Sequence, residues 1–119
     1  MKKDNGKPGN GTKDKILKTA SNHLERVKIN ANNKKMIQDF VNYLSAEDLT
    51  KDRQSKYIYT TIQISRKINN KEFSKLTKDD IEKLVGAINN SNFSEWTKRD
   101  YRIVLKRLMK YVREKEGKK

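Results

Sequence analysis

The chain has 119 residues, of which 33% are hydrophobic and 37% charged, and it carries a net charge of +14 with a pI near 10.0. That length holds one domain with tails, and the absence of cysteine removes disulfides, thiolate zinc sites and thiol catalysis. The basicity makes a polyanion the leading class of partner, nucleic acid before an anionic membrane surface. Nothing reads as a transmembrane span or a signal-peptide core, so the expectation is a soluble, cytoplasmic chain with no membrane partner, and nucleic acid as its polyanion would place it at the nucleoid.

Residues 1–11 (MKKDNGKPGNG) hold three of the five glycines and the only proline, and read as a flexible tail. A domain spans 12–114, and 115–119 form a basic tail or the start of an interdomain linker. Thr12 can cap a first helix over 13–28, with Ile16, Leu17, Ala20, Leu24 and Val27 at helical spacing. His23, the only histidine, lacks a second ligand or a nucleophile to work with, so it reads as a surface or packing residue. Asn32 or Asn33 can cap a second helix over 34–45, whose stripe is Met36, Ile37, Phe40, Val41 and Leu44.

Thr50 can cap a third helix over 51–68. Tyr57, Ile58, Thr61, Ile62, Ile64 and Ile68 form its inward face. Arg53, Lys56, Thr60, Gln63 and Lys67 are left toward solvent. The β-branched content also fits a strand, but the polar residues recur at three to four positions and the segment is long, so helix is the reading. Asn69-Asn70 ends it. In the fourth helix, 78–89, Thr77 and Asp80 make a capping-box pattern with Leu76 and Ile81 as a hydrophobic staple. The acids of its first turn complement the helix dipole rather than form an acidic site.

The fifth helix, 95–115, carries the most distinctive stretch of the chain. Ser94 is its cap. Thr97, Tyr101, Val104, Leu105, Leu108, Tyr111 and Val112 fall on one face, and Arg99, Arg102, Lys106, Lys110 and Arg113 on the other. From Lys98 onward there are ten Lys/Arg against three Asp/Glu, half of the net charge of the chain in less than a fifth of its length. A solvated helix usually mixes the two signs, so like charges in a row imply negative charge supplied from outside.

No Gly-rich phosphate loop, HExxH or G-x-S-x-G motif is present, and Gly86 is isolated within a helix. The five tyrosines have no clustered acid, base and cations beside them in the sequence, and read as packing or contact residues. The expectation is a chain without enzymatic activity, cofactor or metal.

From about Met36 to Arg113 the order of motifs resembles the N-terminal core-binding (SAM-like) domain of tyrosine recombinases, the phage-integrase family, in the lysine-rich style of archaeal members. The motifs are MIQDFVNYL, a helix centred on Tyr57, the LTKDDIEKLV helix entry, and SEWTKRDYRIVLKRLMKYV. The last is similar to the family pattern S-x-x-T-x-x-x-Y-x-x-x-L-x-x-F, with Leu108 where that family often has Phe. Thr61 stands where an apolar residue is usual, implying a slightly underfilled core.

The resemblance implies an all-α, compact bundle of four to five helices forming half of a clamp around double-stranded DNA at a recombination site, with self-association on DNA. It implies a catalytic domain following this one, and so a piece of a longer recombinase. It also implies DNA contacts from the third and fifth helices: Arg53, Lys56 and Thr60, then Ser94, Thr97, Lys98, Arg99, Arg102, Lys106 and Lys110. The rival reading is a helical protein-interaction module that binds an acidic partner through the same basic face.

Overall fold

A computed structural model describes residues 8–116, with side chains described over 14–116. The described residues form five α-helices and no strand: α1 (Pro8–Arg26), α2 (Ala31–Ala46), α3 (Lys51–Lys67), α4 (Lys78–Asn89) and α5 (Glu95–Lys115), with a 3-10 turn at Phe73–Lys75 before α4. The expected all-α bundle is the fold. Two helix starts move, and the ends of the first three helices shift by one or two residues. The first helix starts at Pro8 rather than after Thr12, so 8–11 belong to the helix and Thr12 lies within it. Proline at the first helical position loses only an N–H that the helix leaves unbonded anyway. The expectation for 1–7 lies outside the described residues.

The second helix begins at Ala31, and its cap is Asn30, whose Oδ1 accepts from the N–H groups of Asn32 (2.7 Å) and Asn33 (3.4 Å). Asn33 is instead a buried cross-brace. Its Nδ2 donates to Ser65 Oγ (3.1 Å) and to the Lys71 carbonyl (2.8 Å), and its Oδ1 accepts from the Phe73 N–H (2.8 Å). It thereby ties the start of α2 to the end of α3 and to the 3-10 turn. The remaining caps sit where the sequence puts them, at Thr50, Thr77 and Ser94, with the capping box of Thr77 and Asp80 complete.

The packing centre is α3, against which α1, α2 and α5 all lie, while α4 packs mainly on α5. Helix α3 suits that place because its buried surface wraps round it: Tyr57, Ile58, Ile62 and Ile64 are joined in the interior by Gln54, Ser55, Thr61 and Ser65. Each of these four polar side chains meets a hydrogen-bond partner, which is the condition for burying it cheaply. Thr61 donates within its own helix, to the carbonyls of Tyr57 (2.7 Å) or Ile58 (2.9 Å), and is fully buried. Ile16, expected on the inward stripe of the first helix, is 42% exposed; Ala20 and Leu24 close the core there.

Asn69 and Asn70 both adopt positive φ (57° and 61°), the left-handed geometry that asparagine tolerates best after glycine. They reverse the chain after α3 and return an N–H from Asn70 to the Ser65 carbonyl at 2.8 Å.

Candidate nucleic-acid interface

The site is built on two helices that touch. Tyr101, Val104, Leu105, Leu108 and Val112 bury the inner face of α5 and thereby fix which residues face out. Phe93, just before α5, stacks on Tyr101 (centroids 5.3 Å apart, planes 9° apart), and the Lys67 ammonium of α3 lies over both rings at 5.0 and 5.8 Å. Burial pushes the Tyr101 phenol above its ordinary pKa. These contacts lock the entry of α5 against the end of α3.

On the outer face, Arg99, Arg102, Lys106, Lys110 and Arg113 are all exposed. Among the described residues Arg99, Lys106, Lys110 and Arg113 have no acid or hydrogen-bond partner. Arg102 is held lightly, its Nη1 donating to the Asn89 side chain at 2.9 Å. At 1.5 Å per residue the ridge from Arg99 to Lys110 runs about 16 Å, close to the rise of five base pairs. Arg107 is not part of it. It turns inward, 5.8 Å from the Tyr57 ring centroid, with Nη1 reaching the Tyr57 hydroxyl at 3.4 Å and Nη2 reaching Glu47 at 3.5 Å.

The other expected contact residues divide. Arg53 is exposed, and Thr60 is half-buried one turn beyond Lys56. Lys56 is engaged across the helix pair, its ammonium 2.7 Å from Asp100 of α5. Lys98 does not fit a phosphate contact as placed. Its side chain is only 14% exposed, and Nζ donates to the Asn89 carbonyl at the end of α4 (3.0 Å) and lies 3.5 Å from Glu95. A lysine there satisfies a helix C-terminus, where cations are favoured. Ser94 and Thr97 satisfy one another: the Thr97 N–H donates to Ser94 Oγ (3.2 Å) and the two hydroxyls are 3.1 Å apart. Their work is to start the helix.

Two residues that sequence reading passed over stand beside the ridge. Trp96, the only tryptophan, is 75% exposed on the first turn of α5, and Ile103 is 37% exposed two turns further on. Together with Arg53, Lys56 and Asp100 they line a cleft between α3 and α5. On the other flank Ile81 and Val85 of α4 and Leu105 and Met109 of α5 form an apolar strip edged by Arg102, Lys106, Lys110 and Arg113. Among the described residues no group of three or more His, Asp or Glu side chains is arranged to hold a metal ion, and no helix is long and apolar enough to cross a membrane.

The chain matches no family model, no curated protein and no solved structure.

Proposed function

We propose that the chain binds duplex DNA without catalysing a reaction on it, as the core-binding half of a tyrosine recombinase whose catalytic groups lie in another domain. The observation that carries this reading is the ridge of Arg99, Arg102, Lys106 and Lys110, exposed on one side of α5 with no acid paired to it among the described residues. A folded domain that needed only solubility would mix signs along such a face. The order of motifs from MIQDFVNYL to SEWTKRDYRIVLKRLMKYV supports the family, and the all-α bundle agrees with it.

In this reading Lys106 and Lys110 meet phosphates, which supply most of the affinity. Arg99 and Arg102, nearer the N-terminus of α5, meet base edges in the major groove. Arg53 adds a contact from α3. Ser94, Thr97 and Lys98 set the start and angle of the reading helix, and Lys56 is held in reserve by Asp100. Fluorescence anisotropy of a labelled duplex, titrated with the chain at several salt concentrations, tests the proposal. It requires saturable binding that weakens steeply with salt; no binding at low salt refutes it.

The apolar strip of Ile81, Val85, Leu105 and Met109 beside the cations favours a second reading, an acidic protein partner. A pull-down with and without nuclease separates the two. Loss of captured partners after nuclease treatment supports DNA, and retention of an acidic protein supports the second reading.

A further inference from the structure

The cleft between α3 and α5 carries a feature that phosphate binding does not need. Trp96 holds the largest exposed apolar surface among the described residues. An indole is costly to leave in water, and tryptophan is the residue most often found to anchor an interface. It does not stand alone, because Ile103 shares its side of α5 and faces the same cleft. The cleft itself is mixed in sign, lined by Arg53 and Lys56 of α3 and by Asp52 and Asp100, with Lys56 paired to Asp100 at 2.7 Å. The positive charge beside Trp96 comes from the ridge, which Arg99 opens one turn after it. Exposed apolar side chains bordered along the same helix by the cationic ridge match a surface that is negative at its rim and apolar within. A DNA major groove has that character, with phosphates along its walls and the thymine methyl group projecting from its floor.

We infer that Trp96, supported by Ile103, is a base-contacting element that packs against the 5-methyl group of thymine in the major groove. This rests on the duplex-binding reading above and adds to it a source of sequence preference. The ridge holds the helix along the phosphates. Trp96, at the leading end of α5 where a recognition helix reaches deepest, then gains affinity only where a methyl lies beneath it.

Because Trp96 is the only tryptophan, the fluorescence of the full chain reports on this one side chain. Two alternating duplexes are titrated, poly(dA-dT) and poly(dA-dU), which differ only in the thymine methyl. Binding is followed in parallel by anisotropy of a label on the DNA. The inference requires that binding protect Trp96 from iodide or acrylamide quenching. It also requires about fourfold tighter binding to the methylated duplex, from the burial of one methyl. In Trp96→Ala that preference disappears, while the circular dichroism spectrum stays that of the parent because the side chain is largely outside the core. Duplex binding with unchanged Trp96 accessibility overturns the inference and leaves the duplex-binding reading standing. Protection with equal affinity for the two duplexes overturns the methyl contact. Failure to bind either duplex overturns both readings.

Discussion

Lys56 of α3 and Asp100 of α5 form an ion pair of 2.7 Å across the mouth of the cleft that Trp96 overlooks. Asp100 is thus the acid that keeps one cation of the basic surface occupied. Both side chains remain partly exposed, 59% for Lys56 and 29% for Asp100, so the pair adds little to stability. Its consequence is for binding. Asp100→Asn frees Lys56 and removes a negative charge beside the proposed DNA. The expected outcome is tighter binding to all duplexes and a salt dependence steeper by about one counterion. Lys56→Ala alone changes affinity much less than Lys106→Ala. Equal losses from the two lysine variants contradict this assignment.

Helix α4 separates stability from binding. Thr77 accepts the Asp80 N–H at 3.1 Å and Asp80 accepts the Thr77 N–H at 3.0 Å. Thr77→Ala is expected to destabilise by about 0.5–2 kcal/mol with no loss of duplex affinity. Gly86, in the same helix, has open space where a Cβ would go. Gly86→Ala is therefore expected to stabilise by about 0.5–1 kcal/mol. Chemical denaturation of both variants checks the two opposite signs. Lost affinity in a Thr77→Ala protein of unchanged stability would reverse the assignment.

Acid sensitivity should arise at Asp80. A hydrogen bond from Lys71, followed by those from Thr77, holds its carboxyl down at about 2. A carboxylate with a depressed folded pKa contributes stability above its unfolded value, near 3.9, and loses it as pH falls through the folded value. Denaturant midpoints measured between about pH 5 and pH 2 are expected to fall for the parent chain, and to fall less for Asp80→Asn. Parallel curves for the two proteins would place the acid-sensitive group elsewhere.

Asn33 gives a sharper stability test. The partners of its side chain are all remote in sequence, and Asn33→Leu strands the buried Phe73 N–H and the Lys71 carbonyl. Removing one side of such a network typically costs about 1–3 kcal/mol per unsatisfied group. A melting temperature equal to that of the parent would show that the brace is dispensable.

What the sequence displayed and what it hid follow from range. The caps at Thr50, Thr77 and Ser94 act within three residues, so their spacing is printed in the chain. The apolar stripes of the later helices are equally local, and they place Tyr101, Leu105 and Leu108 inside. Asn33 reads as a cap because the residues it braces, Ser65, Lys71 and Phe73, are 32 to 40 positions away. The same reason hides the retirement of Lys98 onto the end of α4 and of Lys56 onto Asp100, since both look like free cations on a helical wheel. Gly9 and Gly11 disguised the start of α1, which Pro8 initiates. Trp96 was visible as a residue but not as an exposed one, because exposure depends on how α3 and α5 come together.

The central claim is that the α5 ridge lies along DNA phosphates. It is tested most directly by measuring duplex affinity against salt for the parent chain, Lys106→Ala and Lys110→Ala, on mixed-sequence duplexes. Both lysines are exposed and without partners among the described residues, so neither change should disturb the fold. Each phosphate contact releases condensed counterions, and log K falls with log salt by about 0.9 per contact. Each variant is expected to bind every duplex more weakly and to show a slope reduced by roughly one. Parent-like slopes in both variants would mean that the ridge faces solvent and that the account of this helix is wrong.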